Sequence, residues 1–71
     1  MKLSKRTQQE VDKAMNAIHA GNIEYGCRCL ASLHRAGNTK ERIIIEEYRD
    51  NNTAIYNNTE IINGCMIAKE V

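Results

Sequence analysis

The chain has 71 residues, with no proline, tryptophan or phenylalanine, and its formal net charge at pH 7 is only +1. This length is enough for one small domain and excludes a second one. A chain so short buries only about 60% of the surface that its unfolded form exposes. Because the only aromatic residues are three tyrosines, we expect the core to be completed by self-association.

The charges are unevenly distributed along the chain. Residues 1–42 carry eight basic and four acidic side chains, whereas residues 43–71 carry two basic and five acidic ones. A basic front half and an acidic back half can pair within one molecule or between two, or the front half can attract an anionic partner. The excess is smaller than in dedicated nucleic-acid-binding modules.

The tripeptide Ala-Gly-Asn occurs at residues 20–22 and again at residues 36–38. A glycine just past a helix end takes the left-handed conformation that terminates the helix, and an asparagine caps the next amino terminus. We therefore predict that each copy ends one helix and begins the next, which divides the chain into three helical segments.

The first two segments have helical periodicity. The first helix is predicted to start at Ser4 or Thr7, either of which can cap it, and to end at Ala20. The second is predicted over residues 23–36 and contains Gly26 in its interior. Because an interior glycine costs about 1 kcal/mol relative to alanine, we expect a neighbouring backbone to pack closely against it.

The third segment starts with a capping box, Asn38 to Glu41, and is predicted to be helical despite the strand propensity of three isoleucines at 43–45. Asparagine pairs at 51–52 and 57–58 are good caps and poor helix interiors. The sequence leaves open whether one helix of about 45 Å runs from about residue 39 to 68, or two shorter helices form.

These patterns predict an all-α fold, in which residues 1–71 form a small antiparallel bundle of three or four helices completed by oligomerisation. The residues predicted to lie between copies share the three-and-four apolar spacing of the third segment. They are Ile44, Tyr48, Ile55, Ile62 and Met66.

The residue types that most often carry chemistry do not form a recognisable site. Cys27, Cys29, His34 and Cys65 are soft zinc ligands. However, residues two apart on a helix point about 200° from each other and cannot face one ion. The sequence also lacks a nucleophile–base pattern and a glycine-rich phosphate loop. We therefore predict no enzyme activity, no metal and no cofactor.

The cysteine count and the apolar pattern bear on location. Three cysteines exclude a complete intrachain disulfide framework, and residues 1–20 lack the apolar stretch of a secretory signal. No apolar run approaches the roughly 20 residues that a membrane span needs. We predict a cytoplasmic protein with reduced cysteines and no membrane partner.

The predicted binding surface surrounds the second Ala-Gly-Asn turn and is basic. Its residues are Tyr25, Arg28, Arg35, Lys40 and Arg42. Helix amino termini nearby offer backbone N–H groups to an anion, and the order helix, turn, helix imitates a DNA-binding helix-turn-helix. The simpler interpretation is that these charges pair with acidic residues of the same chain.

The sequence predicts a small non-enzymatic helical interaction protein that binds itself and a partner protein, and modulates that partner. Its small size suits an accessory factor of a phage or mobile element that inhibits a host system. Two alternatives remain open at this point. One is an oligomer that binds an anionic, nucleotide-like ligand, and the other is a small DNA-binding regulator.

Overall fold

The computed structural model of the protein describes residues 2–69 and shows a mostly helical chain that ends in a β-hairpin. In chain order the elements are α1 (Lys5–His19), α2 (Ile23–Ala36), α3 (Thr39–Asp50), α4 (Thr53–Asn57), β1 (Thr59–Ile62) and β2 (Cys65–Ala68). Helix α2 is central, because it packs against α1, α3, α4 and β2. The all-α prediction is therefore wrong for residues 59–68, which form the hairpin.

The two Ala-Gly-Asn copies adopt different conformations. Ser4 caps α1 by accepting from the Thr7 N–H, and Gly21 ends it with a left-handed φ of 93°, as predicted. Gly37, by contrast, is extended, with a φ of −81°. The side chain of Arg42 closes this second helix end, donating to the carbonyls of His34 (3.0 Å) and Arg35 (3.2 Å).

The predicted close approach at Gly26 is confirmed. A Cβ atom added there would lie 2.7 Å from the carbonyl oxygen of Ala14 and would also overlap the side chain of Ile18. Real Cβ atoms almost never come within 3.0 Å of another heavy atom. Glycine at this position therefore allows α1 and α2 to pack against each other.

The capping box at the start of α3 is also confirmed. The Asn38 side chain accepts from the Glu41 N–H at 2.9 Å, and the Glu41 carboxylate accepts from the Asn38 N–H at 3.1 Å. The single long helix over residues 39–68 is wrong, because α3 ends at Asp50. Asn52 then caps the short helix α4 by accepting from the N–H groups of Ala54 and Ile55. Asparagine thus acts here as a cap.

The chain turns back on itself after α4. Strands β1 and β2 pair antiparallel, with Ile62 opposite Cys65 and the turn Asn63-Gly64 between them. Both turn residues have positive φ, 52° and 79°, as a two-residue turn of type I′ requires. Ile62 and Met66, predicted on a helix face, therefore lie in strands.

The core combines residues from every helix and from β2. Its buried apolar members are Leu3, Val11, Ala14, Ile18, Cys27, Leu30, Ala31, Ile45, Ile55 and Met66. Ile55 and Met66, predicted to lie between copies, are fully buried within the single chain. Their side chains are thus inaccessible to a second copy, and this part of the predicted interface is wrong.

Arg49 joins α3 to the hairpin. Its Nε donates to the Thr59 Oγ1 at 2.8 Å, its Nη2 donates to the Thr59 carbonyl at 3.2 Å, and its guanidinium carbon lies 4.4 Å from the ring centroid of Tyr56. The buried Thr59 hydroxyl in turn donates to the Ile55 carbonyl at 2.7 Å. One guanidinium therefore satisfies two polar groups at the start of β1.

We expect Arg49→Lys to lower the free energy of unfolding by about 1–2 kcal/mol, because an ammonium group cannot make both bonds with the geometry of the planar fork. Urea unfolding followed by circular dichroism measures this change. Arg35→Lys, at an exposed position, is the matched control and should stay within about 0.5 kcal/mol. Equal losses in both variants would contradict the assigned role.

Candidate interaction surfaces

The buried imidazole of His34 holds three elements together. Its Nε2 lies 2.8 Å from Glu46 Oε2 on α3, and its Nδ1 accepts from the Met66 N–H on β2 at 3.2 Å. Because Nδ1 accepts a hydrogen bond, the ring proton sits on Nε2 and is donated to the carboxylate. Both nitrogens are engaged in the fold, so this histidine has no lone pair left for a metal or a substrate.

The three cysteines are free thiols. Cys27, Cys29 and Cys65 form no disulfide, and burial raises the pKa of the Cys27 thiol above its usual range. A raised pKa favours the unreactive thiol, whereas nucleophilic cysteines need a depressed one. Within residues 2–69, His, Cys, Asp and Glu form no group of three or more that could hold a metal ion.

The predicted basic surface is divided in the structure. Tyr25 and Arg28 line one shallow groove of about 310 Å³ between α2 and Glu10 of α1, and Arg28 forms an ion pair with Glu24. Arg35 and Lys40 are exposed near the turn. Arg42 is directed to the carbonyls at the end of α2, as described above. The five residues therefore do not converge on one site.

The predicted anion site at the start of α3 already contains a carboxylate. Glu41 accepts from the Asn38 N–H, and its second oxygen accepts from the hydroxyl of Thr7 on α1 at 3.2 Å. A negative charge at this helix amino terminus is favourable for the fold. It also disfavours an external anion at the same position.

Several large apolar side chains remain exposed, and two of them lie on the outer side of the hairpin. The exposed set is Tyr25, Ile43, Tyr56, Ile61, Ile62 and Ile67. The register of the hairpin places Ile62 beside Cys65 and Ile67 beside Glu60 on the outer side, opposite the buried Met66. We call these four outer residues the hairpin face. Its Ile62 and Ile67 side chains are 46% and 38% exposed.

The outer edge of β1 is only partly covered. In a hairpin closed by a two-residue turn, the pair Ile61 and Met66 directs its backbone groups outward, and the bond from the Met66 N–H to His34 agrees with this. The corresponding N–H and C=O groups of Ile61 find no hydrogen-bond partner within residues 2–69. Sequence reasoning missed this hairpin, although Asn63-Gly64 between apolar residues is its strongest local signal.

The second surface is a groove between α1 and α3, which we call the α1–α3 groove. One part, of about 710 Å³, is lined by Lys2, Leu3, Lys5, Gln8, Gln9, Ile44 and Tyr48. The adjoining part, of about 380 Å³, is lined by Met15, Ile44, Glu47, Tyr48, Asn51 and Asn52. Ile44 and Tyr48 are common to both and form the apolar middle. The Tyr48 hydroxyl accepts from the Gln8 side chain at 3.3 Å.

Comparison with known proteins identifies no relative: no protein-family model, curated protein or solved structure matches this chain. Across residues 2–69, none of the helices has the length and apolar character needed to cross a membrane.

Proposed function

We propose that this is a non-enzymatic interaction protein that binds another protein through the hairpin face. The observation that carries the proposal is the exposure of Ile62 and Ile67, diagonal neighbours across the two strands, on the side of the hairpin opposite the buried Met66. Burying an isoleucine side chain is worth about 1.5–3 kcal/mol. Contiguous exposed apolar patches mark interaction surfaces in soluble proteins, and we assign this role to the hairpin face.

The roles of the polar residues support the same proposal. His34, Glu41, Arg42 and Arg49 each bond to a distant part of the chain and serve the fold. Every buried side-chain nitrogen or oxygen within residues 2–69 has a hydrogen-bond partner. The hairpin face has Glu60 as its one charged member, and an apolar partner surface fits this face better than a phosphate-bearing ligand does.

The exposed edge of β1 favours a partner that presents an extended strand. Such a strand can bond to the outward backbone groups of Ile61 while its side chains cover Ile62, as in recognition by strand addition, and the neighbouring part of the partner covers Ile67. Arg49 occupies the neighbouring Thr59 carbonyl, so the accessible edge is short. Burial of side chains then contributes more to the affinity than backbone bonds do.

Affinity capture with matched variants tests this binding. We expect the double variant Ile62→Thr/Ile67→Thr to fail to capture the proteins that wild type retains from a lysate of its source organism. Threonine keeps the strand propensity and removes the apolar contact. Ile43→Thr is the control, since Ile43 on α3 is 44% exposed and lies outside the hairpin. A double variant that folds and retains the same proteins would contradict the proposal.

We also propose two further properties of the protein. The first is self-association, which the light, aromatic-poor core favours. The second is modulation of the bound partner, as expected for an inhibitory accessory factor.

The nucleotide and DNA alternatives have less support, because Glu41 and Arg42 bond to the protein itself at the turn where those ligands would bind.

A further inference from the structure

We propose that the α1–α3 groove is the interface of a two-fold symmetric homodimer, so that a second copy of this chain covers it. This rests on the proposed self-association and adds to it the surface and the symmetry. The hairpin face lies on other elements and stays available for a different partner.

The charges along the groove have a definite order. Lys2 and Lys5 lie at one end, Ile44 and Tyr48 form the middle, and Glu47 lies towards the other end. Contacts between α1 and α3 indicate the direction of both helices along the groove. Helices α1 and α3 start together, where the Thr7 hydroxyl bonds to the Glu41 carboxylate, and Met15 later lies beside Asn51.

This order is self-complementary. A two-fold axis brings the same patch of both copies together, and an axis perpendicular to the length of the groove inverts the direction of the groove. An axis through Ile44 and Tyr48 therefore places the basic end of each groove opposite the acidic end of the other. Each of the helices α1 and α3 of one copy then runs antiparallel to its counterpart in the second, which is also favourable for their dipoles.

A second copy fits this groove better than other occupants do. Glu41 at the basic end already accepts from Asn38 and Thr7, so Lys2 and Lys5 retain their attraction for an external carboxylate. A purely anionic or purely basic partner would be attracted by one end and repelled by the other. Ile44 and Tyr48 are half-buried, so contact between the apolar middles of the two grooves buries apolar area on both copies.

Sedimentation equilibrium of the full chain tests the dimer. We expect wild type, whose chain mass is 8.1 kDa, to reach twice this mass in the micromolar range. Lys5→Glu and Glu47→Lys should each raise the dimer dissociation constant about tenfold, because symmetry turns two attractive pairs into two repulsive ones. An equimolar mixture of the two variants should associate again, since the heterodimer has opposite charges at both contacts.

The control is Lys13→Glu, which makes the same charge change on α1 outside the groove and should leave the dissociation constant unchanged. Wild type that stays monomeric up to about 100 μM would overturn self-association itself. A wild-type dimer that resists both charge variants, or variants whose mixture does not associate, would overturn the groove as the interface while leaving self-association in place. Neither result decides whether the hairpin face binds a partner.

Discussion

Replacing His34 with leucine is expected to lower the free energy of unfolding by about 2–4 kcal/mol. Leucine fills a similar volume, but it leaves the buried Met66 N–H without its acceptor and removes the bond to Glu46. An unpaired buried donor alone costs about 1–3 kcal/mol. Total stability is on the order of 5 kcal/mol for a domain of this size, so the variant should be close to unfolding at room temperature.

The control for His34→Leu is Glu46→Gln, whose amide oxygen can still accept from the imidazole Nε2. Its loss should stay below about 1 kcal/mol, since Glu46 is partly exposed to solvent. Urea unfolding gives both values, and amide hydrogen exchange at Met66 reports locally on the lost acceptor. If His34→Leu were as stable as wild type, or if the Met66 amide stayed protected, the bridging role of the imidazole would be wrong.

The second large effect is expected at Gly26. Alanine is the better helix former by about 1 kcal/mol, yet Gly26→Ala should destabilise the protein by about 1–3 kcal/mol. The added methyl group would overlap the Ala14 carbonyl and the Ile18 side chain, and the carbonyl is part of the α1 backbone. Relief therefore requires α1 to move away from α2, which loosens the packing between them.

Ser32→Ala separates packing from helix propensity, because Ser32 lies on the exposed side of the same helix. Thermal unfolding of both variants should show a lower midpoint for Gly26→Ala and a change within about 0.5 kcal/mol for Ser32→Ala. A stabilising effect of alanine at position 26 would show that the two helices are not in close contact there.

The two proposed surfaces have a combined consequence. A dimer formed through the α1–α3 groove would carry two hairpin faces, one on each copy. A partner with two matching sites would then be bound at an effective concentration in the millimolar range once the first site is engaged. Dimer-weakening variants such as Lys5→Glu would then reduce partner binding without altering the hairpin face.

Local chemistry in the sequence determined the first three helices. The signals for these helices involve residues no more than about four positions apart. They are the periodic apolar positions, the Ser4 cap, the glycine at position 21 and the capping box of Asn38 and Glu41. Such signals do not depend on the rest of the chain. The sequence also predicted the close contact at Gly26, because an interior glycine is unfavourable unless a neighbour requires it.

Only the tertiary structure decided the last third of the chain and the roles of its long polar side chains. Residues 59–68 are compatible with both helical and strand spacing, and contacts distant in sequence favour the hairpin. His34 bonds to Met66, and Arg49 bonds to Thr59. Arg42 was predicted to bind a ligand and instead closes α2. The physical reason is that the partners of a buried or half-buried polar group are set by packing between elements, which no local pattern encodes.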